Sequence, residues 1–103
     1  MKKYGLFGKF VVTESDRDTL VKILLEAAKL LDNNEDCLQY LVGISELENE
    51  VWVSEVWTTK TAHDKSLEPE DIRKLIMQAR PLIQEMHSVA EYEVVGGKSS
   101  RLT

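Results

Sequence analysis

A single cysteine in 103 residues, Cys37, leaves no partner for an intrachain disulfide. A lone thiol suits a reducing cytoplasm, and Cys37 has no basic neighbours in sequence. It therefore reads as a small buried hydrophobe in a strand rather than a reactive thiolate. Histidine is almost as scarce. His63 and His87 lie far apart, so no metal-ligand spacing is present and no metal is expected. No glycine-rich loop carries a strand into a helix, which leaves nucleotide cofactors without a phosphate cradle. No apolar run approaches the roughly 20 residues that span a bilayer. The start Met1-Lys2-Lys3-Tyr4 has the charge of a signal peptide but no apolar stretch or cleavage site behind it. Clustered positive charge is missing too. Net charge is −5 with Lys and Arg dispersed, so no basic face is available to neutralise phosphates. Nucleic acid and membranes are excluded as partners, and the expected location is cytoplasmic.

What the chain does contain is patterned apolar sequence. At 43% hydrophobic and 30% charged residues it has the composition of one small globular domain, expected over 1–97 with a polar tail at 98–103. Tyr4 to Val12 alternates as a strand, with Tyr4, Leu6, Phe10 and Val12 on one face and Phe7 and Val11 on the other. Gly5 and Gly8 inside it mark a bulge or a place where something packs close to the backbone. The capping run Thr13-Glu14-Ser15-Asp16, with Ser15 and Asp18 as an approximate capping box, opens a helix predicted over 16–31. Leu20, Ile23, Leu24, Ala27, Ala28 and Leu31 form its apolar stripe.

Cys37 to Ser45 and Val51 to Thr58 read as a hairpin across the polar turn at Glu48-Asn49-Glu50. Val51, Val53, Glu55 and Trp57 share one face of its second strand; Trp52, Ser54 and Val56 share the other. A short helical turn is expected around 62–67. Pro69 then sits at the first turn of another helix, with Ile72, Leu75, Ile76 and Ala79 as its buried stripe. Pro81 ends or kinks that helix, although Leu82, Ile83 and Met86 keep helical spacing. A last strand is expected over 89–95, closed by Gly96-Gly97.

The order strand, helix, strand, strand, helix, strand predicts an α+β, ferredoxin-like βαββαβ fold. Its four-stranded antiparallel sheet carries both helices on one face. Both faces of the strands carry apolar side chains, while the helices cover only one. A homodimer is therefore expected to cover the other.

Other folds with this order fit poorly. An RNA-recognition motif needs aromatic and basic residues on the open sheet face, and an acylphosphatase needs a phosphate loop where this chain has acidic residues. The stretch Glu55-Val56-Trp57-Thr58-Thr59-Lys60-Thr61-Ala62-His63-Asp64-Lys65-Ser66-Leu67 resembles the central signature of the antibiotic-biosynthesis monooxygenase family, in which Glu-x-Trp on the third strand precedes a turn and a short helix. The likeness runs from Tyr4 to Gly97. It implies a dimeric α+β barrel with a pocket between sheet and helices, and oxidation of aromatic polyketides or quinols by O2 without flavin or metal. No cofactor is then required. Two departures are visible. Ser66 stands where many members place His, and Tyr4 to Val12 contains no Asn, the residue that haem-degrading relatives use on this strand.

For that chemistry the candidate catalytic residues are His63 and Trp57, and the candidate substrate contacts are Glu55, Tyr40 and Tyr92. Triplet oxygen reacts with a closed-shell substrate only once the substrate is electron-rich, so deprotonation of a phenol or anthrone needs a base and donors that steady the anion. His63 is the candidate base or donor; the plainer reading is a polar histidine on a surface turn. Trp57 offers a wall for stacking, or simply core. Glu55, on the same face, requires a partner: it orients a catalytic group or, the favoured reading, pairs structurally with Arg73, Lys74 or Arg80. Tyr40 and Tyr92 are possible oxyanion donors or plain sheet aromatics. The rival to a cofactor-independent monooxygenase is a non-catalytic small-molecule-binding or stress-response dimer of the same fold.

Overall fold

The computed structural model describes residues 2–99. Four strands form one antiparallel sheet: β1 (Lys3–Val12), β2 (Cys37–Ile44), β3 (Glu50–Trp57) and β4 (Ile83–Val94), in the order β2-β3-β1-β4. Three helices accompany it: α1 (Arg17–Leu30), the short α2 (Lys60–Lys65) and α3 (Glu70–Ala79). This is the α+β ferredoxin-like arrangement that the element order predicts.

Register fixes which side chains share a face. Tyr40, Glu55, Leu6 and Glu91 form one row across the four strands, and Val42, Val53, Gly8 and Ser88 the next. These rows lie under the helices. The alternate rows, Leu41-Ser54-Phe7-Ala90 and Gly43-Trp52-Lys9-His87, face the other way, where none of the described helices packs. The core lies between: Val12, Val51, Val53, Leu20, Leu24 and Ala79 pack as one buried cluster from sheet, α1 and α3. Cys37 is buried, as a small strand hydrophobe should be.

The ends of elements depart from expectation in two places. The Ser15–Asp18 capping box does not form. A single 3-10 turn over Glu14–Asp16 leads into α1, and Thr13 Oγ1 donates to Asp16 Oδ2 at 2.9 Å. The last strand begins at Ile83 rather than at 89. Pro81 sits in a 3-10 turn (Arg80–Leu82) that ends α3 and turns the chain directly into β4. Ten residues of β1 present a full ladder of backbone groups, and β4 satisfies it along its length, from Val12↔Ile83 to Lys3↔Val94. The register slips between Phe7 and Gly8, so Val89 is the extra residue of a bulge. Gly8 thus marks the bulge. Gly5 marks a close approach: a Cβ there would lie 2.5 Å from the Tyr92 ring. The described tail is Lys98 and Ser99, and the rest of the 98–103 segment lies outside the described residues.

Candidate active site

Between the inner sheet face and the helices lies a cavity of about 430 Å³. Leu6, Gly8, Phe10 and Val53 form its floor; Ile23, Leu24 and Ala27 of α1 and Ile72, Leu75 and Ile76 of α3 form its walls. Much of the helical stripe that sequence periodicity assigns to the core therefore lines open space. The lining is overwhelmingly apolar, and Lys9, Ser88 and two groups of side chains supply its polar atoms. Arg80, Met86 and the His87 segment of β4, all exposed, border it at one end. Tyr40, Glu55, Trp57, His63 and Ser66 stand at the other.

The second group is a connected structure. Trp57, 1% exposed, donates its indole N–H to Glu55 Oε1 at 3.0 Å. Residues i and i+2 of a strand share a face, so β3 alone holds this pair. His63 Nε2 lies 3.8 Å from the same Glu55 oxygen, and its Nδ1 lies 3.0 Å from Asp64 Oδ1. The His63 ring stands edge-on to Trp57, with centroids 5.6 Å apart, and tilted against Tyr4 at 5.7 Å. Tyr4 donates to Glu91 Oε1 at 2.6 Å, and Lys60 Nζ approaches that carboxylate at 3.6 Å.

The helix that delivers His63 is only six residues long and is held by its ends. Thr59 Oγ1 accepts from Ala62 N at 3.0 Å as an N-cap. Ser66, buried at the other end, donates its hydroxyl to the His63 carbonyl. Where the resemblance leads one to expect an imidazole, this chain thus carries a helix-end tie. Just before α2, Thr58 Oγ1 donates to Asp36 Oδ1 at 2.8 Å.

Burial pushes the Glu55 carboxyl above its ordinary pKa; the Trp57 N–H and the His63 ring oppose that shift without cancelling it. Burial, and then the neighbouring Glu55 charge, push the Tyr40 hydroxyl well up, so it stays a proton donor across the physiological range. Glu91, outside the cavity, is held low by Tyr4 and Lys60.

Four of the five residues singled out from sequence converge here: His63, Trp57, Glu55 and Tyr40. His63 is largely covered rather than displayed on a surface turn, its side chain 15% exposed. Two expectations are corrected. Tyr92 is not in the cavity: it pairs with Gly5 on the outer face, with its ring over that glycine, and is 44% exposed. The inner face of β4 at that level is taken by Glu91, which Tyr4 and Lys60 bind, so alternation turns Tyr92 outward. Glu55 does not pair with Arg73, Lys74 or Arg80; its contacts are Trp57 and His63, and Lys74 reaches Glu70 instead, at 3.8 Å. Tyr4 and Asp64 escape the sequence reading. Strand alternation does place Tyr4 on the Trp57 face, but its tilted ring contact with His63 depends on the path of α2. Among the described residues, no three His, Cys, Asp or Glu side chains converge as a metal ion requires.

The sequence matches no family model and no curated protein sequence. Solved structures are informative. A protein from Chloroflexus aurantiacus J-10-fl, provisionally described as an antibiotic biosynthesis monooxygenase, is 35% identical, with 94% of this chain and 97% of that one covered at a TM-score of 0.80. The chain belongs to the antibiotic biosynthesis monooxygenase family. A Caulobacter crescentus CB15 structure with the same provisional description shares the fold at 16% identity, with 93% and 91% of the two chains covered and a TM-score of 0.76. So does a Bacteroides thetaiotaomicron VPI-5482 protein described as a possible oxidoreductase, at 16% identity, 90% and 98% coverage and a TM-score of 0.80. The family's Glu-x-Trp stretch is here the Trp57–Glu55 pair at the polar end of the cavity.

Proposed function

We propose that this chain is a cofactor-independent monooxygenase that uses O2 to oxidise a small, electron-rich aromatic compound of the quinol or anthrone type, acting in the cytoplasm as a homodimer. One observation carries the reading: an apolar cavity in which Tyr40, Glu55 and His63 are brought together beside Trp57. A cavity of roughly 150 Å³ takes up one benzene ring, so about 430 Å³ has room for two or three fused rings. Apolar walls favour a flat hydrocarbon frame, and the Trp57 indole offers it an aromatic edge.

The chemistry follows from the polar end. A phenolic or enolic O–H placed there meets an acceptor in Glu55 or His63 and a donor in Tyr40. Removing the proton leaves an electron-rich anion in a medium of low dielectric, where the Tyr40 O–H stabilises it strongly. The anion passes one electron to O2, and the resulting radical pair combines into a peroxide at carbon. For an anthrone-type CH2, loss of water then leaves C=O: CH2 and O2 become C=O and H2O. The substrate supplies all the electrons.

The test is oxygen uptake by the purified protein with a panel of reduced quinols and anthrones and no added cofactor. Uptake above the uncatalysed rate is expected, falling by about 100-fold in His63→Ala. An uptake rate at background across the panel would move the function to a non-catalytic ligand-binding dimer. Ser66 gives that alternative its substance, since its hydroxyl is committed to the His63 carbonyl and brings no second imidazole to the cavity.

A further inference from the structure

We propose that Glu55 is the group that takes the substrate's proton, that His63 holds this proton during the oxygen step, and that Asp64 is the positioning residue that makes His63 able to do so. This rests on the oxygenase reading of the same cavity and divides its work among three side chains.

Geometry assigns the order. Glu55 Oε1 is engaged by the Trp57 N–H and approached by His63, whereas Oε2 accepts no hydrogen bond from a described residue. Among the described residues no buried side-chain oxygen lacks a partner, so Oε2 must be open to a water-sized group, and Glu55 opens onto the cavity. A substrate hydroxyl would therefore donate to Oε2. On the far side of the carboxyl, His63 presents Nε2 at 3.8 Å from Oε1, and Nδ1 at 3.0 Å from Asp64 Oδ1. The first distance is long for a hydrogen bond, as is common in sites without substrate. The second is a hydrogen bond, and a carboxylate can only accept. It therefore fixes the neutral ring as Nδ1–H and leaves Nε2 as the acceptor facing Glu55.

The transfers balance. The substrate O–H proton passes to Glu55, giving a substrate anion and a neutral carboxylic acid. The carboxyl then turns so that this O–H meets His63 Nε2, gives up its proton there and is again a carboxylate, its other oxygen taking the Trp57 N–H. The imidazolium lies between two carboxylates, Glu55 and Asp64, with the Trp57 and Tyr4 rings against it. Lys60 is the nearby cation, and Glu91 engages it. When the peroxide loses water, the same proton returns through Glu55 to the departing oxygen. Nδ1–H stays on Asp64 throughout, so the ring need not change tautomer or flip.

Two readouts test this on the intact protein. Ring-nitrogen NMR of uniformly 15N-labelled protein, at a pH where the imidazole is neutral and with His63→Gln for assignment, should show His63 as Nδ1–H. In Asp64→Asn the ring should move toward Nε2–H, and Asp64→Glu should restore Nδ1–H. In the uptake assay Asp64→Asn should lower kcat at least about tenfold with KM changed less than about twofold. Glu55→Gln should abolish uptake while keeping the His63 tautomer. A wild-type ring found as Nε2–H overturns the proposal, as does Asp64→Asn with tautomer and kcat unchanged. If the wild type takes up no oxygen with any substrate, the oxygenase reading falls. The ring nitrogens then still decide whether Asp64 sets His63 toward Glu55.

Discussion

Glu55 is a charge kept where burial disfavours it. Its carboxyl accepts one N–H from Trp57 and faces His63, yet desolvation dominates and its pKa in the folded chain lies above the ordinary carboxylate value. The sign of the consequence follows from proton linkage. The folded state binds this proton more tightly than the unfolded state, so stability falls as pH rises from the unfolded pKa through the folded one, and the loss persists above it. Glu55→Gln removes the charge and keeps a carbonyl for the Trp57 N–H. It is expected to raise Tm at neutral pH by a few degrees, on the order of what 1 kcal/mol does in a domain of this size. That gain should shrink as pH falls below the carboxylate range. Thermal melts at several pH values check it, and a Glu55→Gln variant that is less stable at neutral pH would show the Glu55–His63 pair to be net stabilising. Stability gained at the cost of uptake is the pattern of a residue kept for chemistry. At this scale the sequence is legible wherever strand alternation decides a face: Glu55, Trp57 and Tyr40 fall together by register alone. Tyr92 was not legible. Alternation puts it opposite Glu91, but which of the two faces inward depends on Tyr4 and Lys60, from other elements, binding Glu91.

Among the elements, α2 matters most and has the least intrinsic stability. Six residues are far below the length at which a helix persists alone, so α2 exists because its ends are tied. Thr59 caps the first turn, and Ser66 closes the last onto the carbonyl of His63 itself. Thr59→Ala removes the cap and should cost about 1 kcal/mol, read as a fall in Tm of roughly 4–8 °C. Because α2 carries His63, oxygen uptake should fall as well, and Thr59→Ser should restore both. An alanine variant with unchanged melting and uptake would mean that packing against Trp57 and Tyr4 holds the helix without its cap. The existence of α2 was readable from the turn sequence after β3. The start of β4 was not. Leu82, Ile83 and Met86 keep helical spacing, and only the pairing of Ile83 with Val12 and of Met86 with Phe10 makes the stretch from Ile83 a strand. Those contacts span some seventy residues of sequence, beyond the reach of any local period.

For the whole molecule, the question is what covers the outer face of the sheet. The row Leu41-Ser54-Phe7-Ala90 crosses all four strands, and Trp52 stacks on Phe7 with centroids 5.2 Å apart. Leu41 is 56% exposed and Tyr92 44%. Lys9 lies over the Trp52 ring and 3.2 Å from Glu50, so these two charges are already paired and could be covered without stranding either one. A contiguous apolar sheet face of this kind marks an association surface, and in a homodimer the same patch would serve both subunits. Sedimentation equilibrium is therefore expected to give twice the 11.8 kDa chain mass, with a Tm that rises with protein concentration. Leu41→Glu is the decisive variant. Leu41 is already exposed in the single subunit, so the change should alter that subunit's own stability by no more than about 0.5 kcal/mol. In a two-fold dimer the same change places two carboxylates in an apolar contact and should dissociate it. Phe7 is a poorer probe, because its stacking on Trp52 belongs to the subunit itself. A folded Leu41→Glu monomer that still takes up oxygen would show that the cavity is complete within one chain. Loss of uptake together with dissociation would tie the cavity's shape to the covered face. A wild type that sediments at one chain mass would remove the dimer and leave the outer face for another partner.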